Sequence, residues 1–546
     1  MELGTFPKIL KVGKISPIHK KGDVQLFDNY RPISILPIFG KIFEKVIYKR
    51  LYSFFTSFNV IHEQQFGFRK KHSTGHAINY SVNKIVNELQ NRNHVIGIFI
   101  DLSKAFDTID HSKLLTKLEH YGIRGICLQL LSSYLRDRKQ FTNFNGVESD
   151  MSSIEYGVPQ GSVLGPLLFL IYINDLVYSN NLSANDATDD FILFADDTNI
   201  FVVGDNEHDV YTNAQNVLNN VYDYMYSNNL HINLTKSVFM HFRPHMNHNE
   251  RETCARTRIE KTLKLACHKL KRVTEVKFLG VIIDEKLTWD SQVSQLKAKL
   301  ISSIIVIKRI KSFIPKNEYC KLYNALFKSH LSYCISCWGG ISKNKLQSIF
   351  SVQKRCIRLL FGKELNFDHS EFYNTCARVR PYKQHIADKN FQLEHTKPLF
   401  NEQKLLTLHH LYIYHTFIDT IKIMKYRIPI SIFGLLRSSS RYTSLNLIIP
   451  QVKLDIAKNN FVFQASCIWN ELIDRILNKC SPNALGIMIP GSNKDSDLSL
   501  SIALAKKKLR DVLLDTQKLD PLKDLMGWSE SEDWHPENFY ETHCPV

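Results

Sequence analysis

Phe191-Ile-Leu-Phe-Ala-Asp-Asp-Thr-Asn-Ile-Phe-Val-Val203 consists of two apolar, β-prone runs on either side of an adjacent pair of carboxylates. Such runs around a short polar centre predict a β-hairpin with Asp196 and Asp197 at its tip. Adjacent acids repel each other unless a cation neutralises them. Because an Asp-Asp pair alone is more often a solvated turn, other parts of the sequence must decide between a turn and a metal site.

A second carboxylate follows another apolar run, Val95-Ile-Gly-Ile-Phe-Ile100, which ends at Asp101. Two buried strands that each deliver carboxylates at one end can hold a pair of hard divalent ions. Ions about 3.5–4 Å apart are a common arrangement for phosphoryl transfer. Asp101, Asp196 and Asp197 are therefore the candidate metal ligands.

Several further blocks surround these carboxylates in a fixed order. They are Lys14-Ile-Ser-Pro-Ile-His-Lys-Lys-Gly-Asp23, Asn29-Tyr-Arg-Pro-Ile-Ser34, Gln65-Phe-Gly-Phe-Arg-Lys-Lys-His-Ser-Thr74, Ile100-Asp-Leu-Ser-Lys-Ala-Phe-Asp-Thr-Ile-Asp-His111, Gly157-Val-Pro-Gln-Gly-Ser-Val-Leu-Gly-Pro-Leu-Leu-Phe169, Leu230-His-Ile-Asn-Leu-Thr-Lys236 and Lys277-Phe-Leu-Gly-Val281. With the Phe-Ala-Asp-Asp block in its place, this series resembles the reverse transcriptases of non-LTR retrotransposons, in particular the jockey-like group. The resemblance covers roughly residues 7–365.

The resemblance implies an α/β (α+β) right-hand polymerase fold with fingers, palm and a helical thumb, followed by a mixed, mainly helical C-terminal region. The boundaries that we expect are fingers 1–93, palm 94–283, basic helical thumb 284–375, C-terminal region 376–480 and a loop-rich acidic tail 481–546. The reverse transcriptase core, fingers included, would span 7–283.

The resemblance also assigns roles to the carboxylates. Asp101 and Asp196 would bind two Mg²⁺ ions, with Mn²⁺ as a substitute, and Asp197 would bind a metal less directly. One ion would lower the pKa of the primer 3′-hydroxyl, and the other would hold the triphosphate and the leaving pyrophosphate. Lys236 could protonate pyrophosphate as a general acid, although an ordinary surface lysine is nearly as good an interpretation.

Substrate-binding candidates follow from the same motifs. The Phe106 ring would lie under the incoming sugar and exclude a 2′-hydroxyl, whereas the residue alone would be interpreted as a core phenylalanine. Lys21 and Arg31 would contact the triphosphate from the fingers hairpin, and Lys20 could do so or be solvated. Arg69 would contact the template or the fingers backbone, with a structural ion pair as the alternative.

The Pro-Gln-Gly turn supplies the last two candidates. Gly161 would let the backbone approach the nascent base pair, and the Gln160 amide could hydrogen-bond the substrate or template strand. A turn that caps the following helix is the structural alternative. All these groups together define the expected partners as an RNA template, a DNA primer and dNTPs.

Charge supports a polyanionic partner. The formal net charge is +17, and residues 301–363 hold twelve Lys or Arg against one acid, whereas the chain from Asp511 onward holds nine acids against two lysines. A basic run can be a solvated face, but this one directly follows the polymerase-like region, where a thumb would grip a duplex.

Cysteine usage and hydropathy indicate an intracellular protein. The eleven cysteines are an odd number and suit free thiols in a reducing compartment. No signal peptide is evident at the start, and we expect no membrane association. The resemblance implies the nucleus for target-primed insertion and the cytoplasm on synthesis.

Three other interpretations remain open. A catalytically dead or domesticated remnant would only bind nucleic acid; the sequence starts just before the fingers, without the endonuclease that lies upstream in jockey-like elements. The second interpretation is an RNA-dependent RNA polymerase. Such enzymes typically have a small or acidic residue at the Phe106 position and Gly at the Ala195 position, so Phe106 and Ala195 argue against it. The third interpretation is a group II intron maturase, which shares Ala-Asp-Asp, but the sequence after Leu322 is more similar to jockey-like chains.

Overall fold

The structure is a computed structural model that describes residues 3–180, 190–243, 262–362, 396–437, 446–477 and 498–518. The chain divides into two compact units, Met1–Leu279 with Ile428–Ile432, and Gly280–Arg427 with Phe433–Val546. The sequence-based expectations for residues 244–261, 363–395, 481–497 and 519–546 lie outside the described residues.

The first unit is built around a five-stranded sheet of order β14-β11-β3-β9-β8. Its strands are β3 (His94–Ile100), β8 (Asp190–Phe194), β9 (Asp197–Gly204), β11 (Val238–Phe242) and β14 (Lys271–Arg272). β3 lies between β9 and β11, both antiparallel to it, and every β3 residue is buried. A buried central strand explains why this segment is a continuous apolar run rather than an alternating one.

A second sheet of the first unit has the order β2-β1-β5-β6, with β7 also paired to β5. Its strands are β1 (Val12–His19), β2 (Tyr30–Ile35), β5 (Arg138–Phe144), β6 (Val147–Glu148) and β7 (Ser152–Ile154). The remaining short strands of the chain are β4 (Leu102–Ser103), β10 (His231–Ile232), β12 (Lys264–Leu265), β13 (His268–Lys269), β15 (Glu275–Phe278) and β16 (Val281–Asp284).

Helices surround the sheets of the first unit. They are α1 (Ile38–Ser57), α2 (Thr74–Gln90), α3 (His111–His120), α4 (Gly125–Leu135), α5 (Gly165–Ile173) and α6 (Glu207–Ser227). α5 is buried along nearly its whole length, and Ser73 caps α2 by accepting a hydrogen bond from the His76 amide.

The second unit is helical over most of its described residues. Its helices are α7 (Asp290–Ile310), α8 (Tyr319–Tyr323), α9 (Ser329–Ser332), α10 (Ile335–Trp338), α11 (Lys343–Phe361), α12 (Thr396–Glu402), α13 (Leu408–Tyr426), α14 (Ile430–Phe433, which begins in the first unit), α15 (Asp455–Lys458), α16 (Phe461–Leu477) and α17 (Leu498–Lys518). A π-helical segment, Asn324–Lys328, lies between α8 and α9. No helix in the described part of the chain is long and apolar enough to cross a membrane.

Two differences from the sequence-based expectations concern helices. The apolar spacing of α1 predicts one packed side made of Ile42, Phe43, Val46, Ile47 and Leu51. Ile47 and Leu51 are buried as expected, but Ile42 and Val46 are exposed. The prediction of a loop-rich tail is wrong for residues 498–518. These residues form α17, which packs against α13 and α16. Leu509 and Leu513 are buried in that contact. The charged residues around these leucines, three lysines before Leu509 and Arg510 and Asp511 after it, hid the apolar spacing that makes the segment amphipathic.

Candidate active site

The β8–β9 hairpin confirms the prediction from its sequence. Phe194 pairs with Asp197, so the turn consists of Ala195 and Asp196 alone. Ala195 has φ +58°, in the left-handed region that favours glycine, and its side chain is buried. The two aspartates therefore lie at and directly after a tight, sterically demanding turn.

Strand pairing brings Asp101 to the same place. Ile100 of β3 pairs with Thr198 of β9 in an antiparallel register, so the residue after Ile100 falls beside the residue before Thr198. Asp101 is thereby aligned with Asp197 across the strand ends. The Asp101 carbonyl accepts a hydrogen bond from the Asn233 amide (2.8 Å), which ties this strand end to the segment before Lys236.

Electrostatics show that the three carboxylates interact. Although Asp197 keeps a solvent-accessible face, the protein packed around it withholds water, and the charges of Asp196 and Asp101 add to this. Together they raise the pKa of Asp197 to about 6. Burial also raises the pKa of Asp196, with a contribution from Asp101, while Arg31 and Lys20 act in the opposite direction. The cluster thus holds more negative charge than its surroundings neutralise.

Lys236 provides part of the missing positive charge. Its Nζ lies 3.2 Å from Asp101 Oδ2, and both side chains are accessible to solvent. The sequence suggested a general acid or a surface lysine for Lys236, and the structure places it in direct contact with a candidate metal ligand.

The donor set fits divalent cations in its chemistry. Three carboxylates are hard oxygen ligands, and a cation would relieve the repulsion that contributes to the raised pKa of Asp196 and Asp197. In the described residues no three His, Cys, Asp or Glu side chains form a ready-made metal site. Lys236 pairs with Asp101 through Oδ2, so a cation bound at that oxygen would displace the ammonium group.

Phe106 occupies the loop that follows Asp101 and is half-buried. Its ring packs on Phe169 with centroids 4.7 Å apart and meets the edge of Phe68 at 6.4 Å. Its carbonyl accepts a hydrogen bond from the Val158 amide (2.8 Å). The ring of Phe106 is therefore supported by α5, and its backbone is held by the segment that leads into the Pro-Gln-Gly turn.

The Pro-Gln-Gly turn contacts the loop after β4 and the strand β2. Gln160 Nε2 donates to Asp107 Oδ1 and Oδ2 at 3.0 and 2.9 Å, so this amide group has a partner within the protein. Gly161 has φ +118°, and a Cβ there would lie 2.7 Å from the Ser34 carbonyl oxygen. Glycine is therefore required by the close approach of β2.

The fingers hairpin formed by β1 and β2 carries the candidate triphosphate ligands. Arg31 pairs with Ile18 across it, and the Lys20 amide donates to the Asn29 carbonyl at 2.8 Å. Arg31 and Lys20 are the cations whose charges lower the pKa of Asp196, while Lys21 lies in the exposed turn after β1. Lys20, the weaker candidate in the sequence, is thus electrostatically coupled to the aspartates.

Arg69 contacts the fingers backbone, which is one of the two arrangements expected of it. Its Nη1 donates to the carbonyls of His62 (2.8 Å) and Gln65 (3.1 Å). Burial lowers the pKa of its guanidinium group.

Asp107 is a site residue that sequence reasoning missed. It receives the Gln160 amide, and burial raises its pKa, while Gln160, Lys104 and Lys20 act against that rise. Its position directly after Phe106 was the available signal, but an acid one residue after a proposed sugar-contacting ring has no obvious partner until the fold is known.

Comparisons with known proteins agree with the geometry. The family described as reverse transcriptase (RNA-dependent DNA polymerase) matches residues 18–283. The RNA-directed DNA polymerase from mobile element jockey of Drosophila melanogaster is 28% identical over 369 residues, 66% of this chain and 39% of that protein. The probable RNA-directed DNA polymerase from transposon X-element of the same species is 28% identical over 374 residues, 67% of this chain and 39% of that protein.

Among solved structures, apo telomerase from Candida tropicalis aligns with a TM-score of 0.38 at 12% identity, over 78% of this chain and 69% of that one. The match to the reverse transcriptase family thus covers just under half of this chain. By sequence, the chain is similar to RNA-directed DNA polymerases of mobile elements, among them jockey and the X-element. It spans about two fifths of the length of the curated relatives that it matches.

Proposed function

We propose that this chain is an RNA-directed DNA polymerase that extends a DNA primer along an RNA template with dNTPs. The observation that carries the proposal is the β3–β9 register, which aligns Asp101 with Asp197 beside Asp196. A family match over residues 18–283 supports the same reaction.

In the proposed reaction, the primer 3′-hydroxyl oxygen bonds to the α-phosphorus of the dNTP. The bond from that phosphorus to the bridging oxygen breaks, pyrophosphate leaves, and the hydroxyl proton passes to water. Two Mg²⁺ ions, or Mn²⁺ in their place, would supply charge neutralisation at both oxygens when bound by Asp101, Asp196 and Asp197.

The protein groups around the aspartates have separate tasks in this proposal. Arg31 and Lys20 bind the triphosphate, and Lys21 adds charge at the hairpin turn. Phe106 contacts the sugar, and Gly161 leaves room beside the nascent base pair. Lys236, released from Asp101, gives a proton to pyrophosphate. Gln160 and Arg69 hold loops in place through the contacts described above.

Primer extension tests the proposed function. The chain should extend a labelled DNA primer on an RNA template with dNTPs, only in the presence of Mg²⁺ or Mn²⁺, and much less well with NTPs. Tight primer–template binding without extension would instead identify a remnant that only binds nucleic acid. Efficient use of NTPs would favour an RNA polymerase.

Primer–template binding should depend strongly on salt because the basic run 301–363 contacts phosphates. Lys308, Arg309 and Arg355 are exposed, and Lys354 lies 4.5 Å above the Phe350 ring. Changing all four cations to Ala should weaken binding. It should also flatten the slope of log K against log salt by roughly 0.9 per lost phosphate contact with a duplex. Fluorescence anisotropy at several salt concentrations measures both quantities.

A control with an equal change of charge separates specific contact from net charge. It replaces four exposed cations on or near the short strands β12 to β14, namely Lys264, Lys269, Lys271 and Arg272. The control should reduce the slope much less than the first variant. Equal slopes in the two variants and the unmodified chain would show that the run 301–363 is a solvated face.

A further inference from the structure

A short segment of the fingers adds to the outer edge of the catalytic hairpin. The Phe66 amide donates to the Leu193 carbonyl at 2.7 Å, and the Leu193 amide donates to the Gln64 carbonyl at 3.0 Å. Gln65 forms a parallel bridge with Leu193. β8, which would otherwise be an edge strand, is therefore paired on both sides near the turn that carries Asp196.

The Gln65 side chain reaches from this segment to the turn itself. Its Oε1 accepts two hydrogen bonds, from the Gly67 amide at 2.8 Å and from the Ala195 amide at 3.1 Å. Gln65 is only 1% exposed, so water cannot replace that acceptor. The Ala195 amide belongs to the residue directly before Asp196.

Gly67 and Arg69 fix the position of Gln65. A Cβ at Gly67 would lie 2.3 Å from the Ala195 nitrogen, so this backbone touches the hairpin turn directly. Arg69 holds the other side of the loop through the His62 and Gln65 carbonyls. The packing of this loop therefore fixes the position of the Gln65 acceptor oxygen.

Ala195 needs such support. Its φ of +58° is a conformation that alanine adopts at a cost and glycine adopts freely. A residue held in that region persists only when the surroundings determine it. Without the Gln65 oxygen, the Ala195 amide would lose its acceptor, and the left-handed conformation of Ala195 would lose an interaction that stabilises it.

We propose that Gln65 is a positioning residue for catalysis, because it fixes the turn at Ala195 and with it the orientation of the Asp196 carboxylate. This inference rests on the proposed polymerase function. The hydrogen bonds of the Gln65 side chain go to two backbone amides and not to the aspartate carboxylates, so we expect its effect on turnover and not on the binding of primer–template.

The test compares two neighbouring glutamines. Gln65→Met keeps the length of the side chain and removes the acceptor. It should lower kcat for primer extension about 10- to 100-fold while the Kd for primer–template stays within about threefold. Gln64→Met is the matched control, because Gln64 donates to Asp190 Oδ1 (2.9 Å) at the far end of β8. The control should change kcat less than about threefold.

A second substitution distinguishes positioning from general destabilisation. Adding Ala195→Gly to Gln65→Met should recover at least about fivefold of the lost kcat, because glycine accepts the left-handed conformation without support. Should Gln65→Met fail to fold, Gln65→Asn withdraws the oxygen by one methylene and takes its place with the same expectations. Unchanged kcat in the Gln65 variant, or equal losses in both glutamine variants, would overturn the inference.

Hydrogen exchange separates this inference from the proposed function. In Gln65→Met the peptide containing residues 191–200 should exchange faster than in Gln64→Met, whether or not the chain polymerises. An inactive wild-type chain with this exchange difference would refute the polymerase and retain the role of Gln65 in holding the turn. Equal exchange in both variants would refute that role directly.

Discussion

Asp196→Asn should lower kcat for primer extension by roughly a thousandfold or more while leaving the affinity for primer–template nearly unchanged. The substitution keeps the shape of the side chain but removes one negative charge from a cluster in which Asp101 and Asp197 also take part. Because the amide is a poor ligand for a hard divalent cation, the loss concerns metal binding and not folding. Single-turnover extension and anisotropy measure the two quantities.

Asp205→Asn is the appropriate control for this experiment. It makes the same chemical change at an exposed residue just after β9, at the opposite end of that strand from Asp197. Its kcat should stay within about twofold of the unmodified chain. Turnover close to wild type in Asp196→Asn would remove Asp196 from the catalytic assignment.

Phe106→Val should raise kcat/KM for NTPs by about a hundredfold relative to dNTPs. The ring is supported by Phe169 at 4.7 Å, so it cannot easily withdraw from a sugar placed against it. A 2′-hydroxyl pressed on ring carbons loses its hydrogen bonds to water, which costs about 1–3 kcal/mol, and steric overlap adds to that cost. Each 1.4 kcal/mol corresponds to about tenfold in the ratio of rates.

Phe106→Tyr retains the ring and should therefore retain the discrimination against NTPs. Kinetics with matched dNTP and NTP pairs on one RNA template give the two ratios directly. If Phe106→Val changes kcat/KM for both nucleotides equally, the Phe106 ring serves only to pack against Phe169 of α5. Wild-type enzyme that already uses both equally would lead to the same conclusion.

The central part of the candidate site could be predicted because local pattern and strand pairing agree there. The apolar runs before Asp101 and around Asp196 are long enough to specify strands, and a two-residue turn leaves little freedom for the carboxylates. The resemblance to jockey-like chains supplied the roles. Pairing of β3 with β9, which aligns the carboxylates, follows the right-hand fold that the resemblance implied.

Contacts between distant segments could not be predicted. Gln65 and Ala195 are far apart in sequence, and nothing in either local pattern shows that one side chain accepts from the other backbone. The same holds for Asp107 with Gln160. The exposed Ile42 and Val46 of α1 show the related difficulty that an apolar stripe does not reveal which of its residues the tertiary fold covers.

Residues 64–67 hydrogen-bond to β8 but are not a strand of the five-stranded sheet β14-β11-β3-β9-β8. If Gln65 positions the turn at Ala195, the orientation of Asp196 depends on this loop. Local opening of a short loop costs less free energy than melting the buried sheet, because far fewer buried groups must separate. Thermal inactivation should therefore precede global unfolding, with the palm sheet still intact when the turn at Ala195 is released. We therefore expect the temperature range of primer extension to be limited by the opening of this loop and not by the melting of the buried sheet.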